Sequence, residues 1–312
     1  MRAVAIDNVG PPSVLKMHDL PMPKVGARDV LIAVDTAGVG SWEPDIRSGE
    51  FTLEGTHFPH VMGSDGSGTV VARGARVRRL QVGDRVYAYN FGNDGFDAEF
   101  VAAPEPSVAR IPDGFDLLHA GASPAVALTA LQGIDDALHI KRGERVVIVG
   151  ASGNVGMLAL QFAKRRGARV FAVASGRDGV AFAKRLGADV AVDGKRADIG
   201  TALDDFAPNG VDAVLGLVGG SALNESINAV RSGGRVAYPN GIEPVPRKRR
   251  GIKMVSYDAK QGQRQFTKLN RAMEREVEVP IAKEFPLERA AEAHRLVEKG
   301  HVLGRVVLRV SR

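Results

Sequence analysis

The sequence has no cysteine, which excludes disulfides and every thiolate metal site. It also lacks a long hydrophobic run. Stretches such as Val146 to Gly150 are cut short by glycine or charge well before the ~20 apolar residues a membrane span needs. The N-terminus, Met1-Arg2-Ala3-Val4-Ala5-Ile6-Asp7, meets an acid too early for a secretory core, so the expected location is the cytoplasm. There is no internal repeat at solenoid or propeller period and no low-complexity tract. What is present is an ordinary globular composition: 312 residues, 44% hydrophobic and 25% charged, enough for two domains with cores of their own.

The net charge of +6 and a pI near 9.6 suit anionic partners, which include phosphorylated cofactors and nucleic acid. The densest basic run is Arg247-Lys248-Arg249-Arg250, between Pro246 and Gly251. It could contact phosphates, but it reads first as a solvated loop between two strands.

From Met1 to about Asp113 short apolar strands alternate with Gly, Pro and Asp: Val30 to Asp35, Gly66 to Ala72, Arg85 to Ala88, Glu99 to Ala103. This is an irregular, mostly β region. Its glycine run, Gly63-Ser64-Asp65-Gly66-Ser67-Gly68, is expected to serve tight corners. An alanine-rich segment from His119 to Leu138 then has helical periodicity. After it, strands and helices alternate: strand 145–149, helix Gly153 to Arg166, strand Arg169 to Ala174, helix Gly179 to Leu186, strands Val190 to Asp193 and Val211 to Val218, helix Ala222 to Val230, strand Arg235 to Pro239. Such alternation predicts an α/β fold with a doubly wound parallel sheet. A further strand, Ile252 to Tyr257, and a helix, Arg264 to Arg275, extend it. The tail from Val277 through Leu308 returns to short strands around one helix and is expected to rejoin the first region.

The sharpest chemical signal is Gly150-Ala151-Ser152-Gly153-Asn154-Val155-Gly156, which follows a strand and opens a helix. Amides at that helix start would face a pyrophosphate, and glycine lets both the chain and the phosphate come close. Where an NAD site would place an acid at the end of the second strand, this chain has Ala174-Ser175-Gly176-Arg177. Ser175 and Arg177 can donate to a 2′-phosphate, which points to NADP(H).

Over nearly its whole length the chain resembles the quinone oxidoreductase branch of the medium-chain dehydrogenase/reductase superfamily. The matching patterns are Ala37-Gly38-Val39 with Ile46-Arg47-Ser48-Gly49, Gly63 to Gly68, Val82-Gly83-Asp84-Arg85-Val86, Leu128-Thr129-Ala130, the glycine loop, Leu186-Gly187-Ala188-Asp189, and Gly304-Arg305-Val306-Val307-Leu308. The resemblance implies a GroES-like catalytic domain over residues 1–118, completed by 279–312, and a Rossmann NADP(H)-binding domain over 119–278. It also implies a homodimer.

In zinc-dependent alcohol dehydrogenases of this superfamily two cysteines and a histidine hold the catalytic zinc. The positions that match are Gly40, Ser64 and Ala125, none of them a plausible ligand, and the four-cysteine structural lobe of many relatives is missing as well. His57 and His60 are spaced as a metal pair could be, but without a third ligand they read as ordinary loop residues. The implied activity is metal-free hydride transfer from NADPH to a quinone or an α,β-unsaturated carbonyl, with the protein binding, orienting and excluding water. The resemblance places Trp42, Asp45, Tyr89, Asn90 and Thr129 at the substrate, with Tyr89, Asp45 or water as proton donor. It adds Thr129, Val218, Asn240, Gly241 and Gly304 to the cofactor contacts. Two departures concern substrate: many bacterial quinone reductases carry Asn and Tyr where this chain has Gly40 and Asp45, and a cofactor-contacting Tyr near Gly194. The competing readings are a nucleotide-sensing or nucleic-acid-binding protein without catalysis on the same fold, and an enoyl-thioester reductase.

Overall fold

The β-branched run Arg145–Val149 forms a strand (β1) at the middle of a six-stranded sheet, paired in parallel on both sides. The computed structural model describes residues 1–52, 55–92, 95–274 and 277–310. The chain divides into two compact units, Val126–Lys260 and Met1–Ala125 with Gln261–Arg312.

In the unit of Val126–Lys260, β1 is followed by α1 (Gly156–Arg165), β2 (Arg169–Ala174), α2 (Gly176–Arg185), β3 (Val190–Asp193), α3 (Ile199–Phe206), β4 (Val211–Gly216), α4 (Ser221–Asn228), β5 (Val230–Pro239) and β6 (Lys253–Tyr257). All neighbours are parallel and the spatial order is 3-2-1-4-5-6, the doubly wound order whose direction of winding reverses between β1 and β4. Val146, Val147, Ile148, Val170, Phe171 and Val214 are wholly buried, as strands covered on both faces must be. Helix α3 lies between two strands that the sequence pattern left joined. Asp198 caps it by accepting from the Thr201 amide, and Ile199, Leu203 and Phe206 repeat at helical spacing toward the core.

The helix expected over 119–138 is broken into Leu117–Gly121 and Pro124–Gln132, followed by a wide turn over Gly133–Ala137. Pro124 has no N–H to continue the first helix and stands instead at the start of the second.

The other unit is mostly β. Its long strand Asp29–Val39 pairs antiparallel with Asp65–Arg73, Phe100–Pro104 and the C-terminal strand Arg305–Arg309, so the tail does rejoin the first region. Val30, Ile32, Val70, Val86, Phe96 and Leu308 form its core. Glycine acts differently here from what was expected. Only Gly63 of its run has a left-handed backbone (φ +93°), whereas Gly66 and Gly68 lie inside an extended strand. A Cβ on Gly68 would sit 2.0 Å from the Ala33 carbonyl oxygen, and one on Gly66 would meet the Phe96 ring at 2.5 Å. These glycines allow close packing rather than corners.

The unit boundaries, after Ala125 and Lys260, differ from the expected 118 and 278. Ser67 Oγ donates to the Leu117 carbonyl at 2.5 Å, holding the helix that follows residue 116 to the β unit. The helix Gln263–Met273 joins the same unit because Phe266 meets Tyr87 edge to face at 5.3 Å and the Tyr87 hydroxyl donates to Asn270 Oδ1 at 2.6 Å. Its expected last residue, Arg275, lies outside the described residues. Among the described residues no helix is long and apolar enough to cross a membrane.

Candidate functional site

The glycine loop leaves β1 at Gly150, whose φ of +85° only glycine adopts without strain. The amides of Gly150 and Ala151 both donate to the Val173 carbonyl on β2, and Gly153 N donates back to Gly150 O at 3.0 Å, which closes the turn. The remaining two glycines differ in kind. A Cβ on Gly156 would lie 2.1 Å from Gly150 O and 2.7 Å from Ala151 Cα, so helix and strand touch there. A Cβ on Gly153 would meet nothing nearer than 3.4 Å, so its face is open to an incoming group. Helix α1 starts after Val155 with no side-chain cap and no acid in its first turn; Met157 N already donates to Gly153 O and Leu158 N to Val155 O, so an anion would meet the turn just before them and the positive end of the helix dipole. Asn154 Oδ1 beside it is buried without a hydrogen-bond partner among the described residues. Closed packing at Gly156, an open face at Gly153 and the positive end of a helix with no acid in its first turn are what a dinucleotide diphosphate requires, so the residues fit that cofactor.

The other nucleotide candidates in this unit gather at the same carboxyl edge. Ser175 and Arg177 follow β2, half-buried and exposed respectively, and Ser175 N donates to the buried Ser152 Oγ at 3.4 Å. Val218, exposed, follows β4, close enough that a Cβ on Gly150 would touch its methyl at 2.9 Å. Asn240 and Gly241 follow β5, with Asn240 Nδ2 donating to Asp258 Oδ2 at 2.7 Å. Thr129, on the helix Pro124–Gln132, gives its carbonyl to the Tyr257 hydroxyl at 3.0 Å. Gly194 follows β3, and a Cβ there would strike Val173 Cγ1 at 2.7 Å, which gives a packing reason for the missing tyrosine. Two cations that the sequence reading passed over, Lys195 and Arg196, stand at this edge next to Asp193, which faces them and accepts from the Lys195 and Gly176 amides. Of the basic run, Arg249 donates to the carbonyls of Ile227 and Val230, so it ties down the end of α4 rather than facing solvent alone.

In the β unit, Trp42, Ser64, Tyr89 and Asn90 are brought together. The Trp42 indole lies over Gly40, where a Cβ would be 2.5 Å from ring atoms, and its Nε1 donates to Ser64 Oγ at 2.9 Å. Asn90 is buried, and its backbone N–H donates to the Ser64 carbonyl at 2.9 Å. Tyr89 ends the strand Arg85–Tyr89, opposite Asp65, with its ring 6.0 Å from that of Phe91. Asp45, in the short helix Glu43–Ser48, is exposed. Gly304 has a left-handed φ of +118° and no room for a Cβ against the Pro280 carbonyl, so it has a packing role in this unit. The Ala125 amide donates to Asp65 Oδ2 at 2.9 Å. His57 is exposed and His60 buried, and among the described residues no three His, Cys, Asp or Glu side chains gather as a metal-holding group.

Behind these residues lies a set of buried charges that sequence reasoning missed as a site. Arg305 donates to the Ala122 and Val39 carbonyls and to Asp65 Oδ1 at 3.0 Å, all fully buried. Glu43, also fully buried, accepts from Ser64 N at 3.0 Å and from Ser64 Oγ at 3.2 Å. Burial pushes its carboxyl up to about 7, aided by the charge of Asp65 and opposed by the Ser64 amide and Arg305. Asp97 is raised well above the usual carboxylate range by burial and by the charges of Glu43 and Asp65. His294, 3.9 Å from Glu43 Oε2, is held down to about 3 by burial and by Arg47. The sequence signal for this set was charge placed inside apolar, glycine-rich strands, as in Ser64-Asp65-Gly66 and Arg305-Val306-Val307.

Two family models match, an alcohol dehydrogenase GroES-like domain over residues 26–113 and a zinc-binding dehydrogenase over residues 186–308. The chain is 31% identical to a probable quinone oxidoreductase of Schizosaccharomyces pombe, covering 78% of this chain and 74% of that protein. It is 27% identical to a chloroplastic NADPH-dependent alkenal/one oxidoreductase of Arabidopsis thaliana, over 99% of this chain and 79% of that one. Among solved structures, one described as an NAD-dependent alcohol dehydrogenase superposes with a TM-score of 0.92 at 31% identity, with both chains fully covered.

Proposed function

The chain belongs to the quinone oxidoreductase-like branch of the medium-chain dehydrogenase/reductase superfamily, and from that premise we propose that it is a zinc-independent, NADPH-dependent reductase of quinones or α,β-unsaturated carbonyls. The observation that carries the proposal is what stands at the positions matching zinc ligands: Gly40 sealed under the Trp42 ring, Ser64 bonded to Trp42 and Glu43, and Ala125. None supplies a thiolate or imidazole, so a Lewis acid to activate an alcohol has no donor set, and an acceptor already activated by conjugation suits this chain better.

When bound, NADPH supplies hydride to the acceptor. The protein's share is binding and orientation. The positive end of α1 and the open face of Gly153 hold the diphosphate, with Val218, Asn240 and Gly241 along the same edge and Thr129 beside the nicotinamide. Ser175 and Arg177 hold a 2′-phosphate, with Lys195 and Arg196 adding positive charge. Trp42, Tyr89 and Asn90 orient the acceptor through two aromatic rings and one side-chain amide. The test is steady-state loss of NADPH absorbance over a panel of quinones and enones. Turnover of at least one conjugated acceptor is expected, and NADPH binding with no turnover of any acceptor contradicts the proposal.

A further inference from the structure

Large apolar side chains left half-exposed side by side mark a surface that something else covers. In the β unit Val9, Phe51 and Phe58 are 48%, 49% and 49% exposed, and all three line one cavity of about 500 Å³ together with the buried Ile6, Ile46 and His60. Local geometry builds it. The helix Glu43–Ser48 ends at Gly49 in left-handed backbone (φ +88°), and Phe51 N then donates back to the Asp45 carbonyl at 3.0 Å. The segment after the strand Arg2–Ile6 lies against that helix end, where Gly10 N donates to the Arg47 carbonyl at 3.0 Å and a Cβ on Gly49 would come 3.2 Å from a Val9 methyl. Ile6 pairs with His60, which returns the chain to the same strand and sets the far wall.

The lining decides what fits. The volume lies within the roughly 300–1,000 Å³ of small-molecule sites. Among the described residues no Asp, Glu, Lys or Arg lines the cavity, so a charged group would be desolvated there without a partner, whereas an alkyl chain gains with each methylene it buries. The cavity also adjoins the residues that orient the acceptor, all within this one unit. It shares Ile46 and His60 with the small cavity at Ser64 and Asn90. That smaller space, about 10 Å³, has room for about one water and takes no substituent. A row of rings leads past it to the larger one, with Tyr89 and Phe91 at 6.0 Å and Phe91 and Phe51 at 6.2 Å.

We propose that this cavity holds an uncharged hydrocarbon substituent of the acceptor, so that the protein selects quinones or enones that carry such a chain over those that do not. This selection deepens the reductase function proposed above and rests on it. With the conjugated group against Tyr89, the chain lies along Phe91 and Phe51 and ends between Val9 and Phe58. Val9 and Phe58 are then the residues that set specificity, and the bound chain covers the apolar surface that the free protein leaves half-exposed.

The experiment has a readout that needs no nucleotide, because Trp42 is the only tryptophan and stands among the acceptor residues. Nucleotide-free protein is titrated, by Trp42 fluorescence, with straight-chain enones from pentenone to undecenone, and the same series is then run in turnover with NADPH. Affinity should rise about fourfold per methylene until the cavity is full, with KM falling in parallel and kcat nearly constant. A chain of equal length ending in a carboxylate should gain nothing. In Val9→Asp, which puts a charge on the wall, the series should be flat, and in Val9→Phe, which narrows the cavity, the gain should end at a shorter chain; Val9 is half-exposed, so both should keep the parent Tm. Affinity that does not depend on chain length in the parent, or a dependence that survives Val9→Asp, overturns the assignment. Chain-dependent binding with a flat KM overturns it as well, since the cavity then takes a ligand other than the acceptor. No turnover of any acceptor overturns the reductase function, while the titration still decides whether the cavity takes a hydrocarbon chain.

Discussion

The two units build their candidate sites from different materials. In the unit of Val126–Lys260 the site is made of backbone: the positive end of a helix, a left-handed Gly150, and glycines that differ only in whether a Cβ would collide. In the β unit it is made of side chains drawn from distant parts of the chain, with Glu43, Ser64, Asp65, His294 and Arg305 meeting in one buried set. A backbone site tolerates change at most of its positions and fails at a few glycines. A side-chain site of this sort fails wherever one charge loses its partner, because the one left behind is buried.

The largest effect should come from breaking the side-chain set. Arg305→Met leaves Asp65 buried without its cation and two carbonyls without their donor, and should lower stability by about 3–5 kcal/mol in urea unfolding. The backbone site is broken next. Gly156→Ala places a methyl 2.1 Å from Gly150 O, and an overpacking of about 1–3 kcal/mol should weaken NADPH binding by about 10–100-fold, with a lower Tm. Gly153→Ala sharpens the contrast, since its Cβ meets only Gly150 O, at an ordinary contact distance of 3.4 Å. It should keep the Tm and lose affinity, as measured by fluorescence titration of NADPH. Arg177→Ala is milder. Loss of one charge-assisted bond of about 1.5 kcal/mol should weaken NADPH about tenfold and leave NADH unchanged.

The smallest effect is a change in how stability follows pH. Glu43 ionises near 7 in the fold against 4.5 when exposed, so the stability it contributes is fully present below 4.5 and lost as pH rises through about 7. His294, held at about 3 against 6.5, contributes stability that is present above 6.5 and lost as pH falls toward 3. Between 4.5 and 6.5 the two slopes oppose and partly cancel. Glu43→Gln removes the first, so its stability relative to the parent should rise as pH climbs from about 4.5 to about 7 and level off above that. Urea midpoints at a series of pH values check this, and an advantage that does not grow with pH contradicts a protonated, buried Glu43.

The same contrast explains what could be read from the sequence. The alternation of strands and helices from β1 onward, the glycine loop and the return of the tail to the first region were legible, because each is a local pattern of period, turn and spacing. Helix α3 is absent from the expected elements although Asp198 and the Ile199, Leu203, Phe206 spacing announce it. Gly66 and Gly68 were assigned to corners because sequence shows that a residue is small, not what lies 2.0 Å away. The buried charges were the least legible of all. Nothing near Glu43 in the chain shows that Ser64, 21 residues on, will hold its carboxylate, or that His294 will close the other side.

The most direct measurement is enone and quinone reduction by protein dialysed against a strong chelator, followed by loss of NADPH absorbance alongside metal analysis of the same sample. The expected result is undiminished turnover with no stoichiometric zinc, since Gly40, Ser64 and Ala125 provide no ligand for it. Activity that disappears on chelation and returns with zinc would contradict the account at its centre.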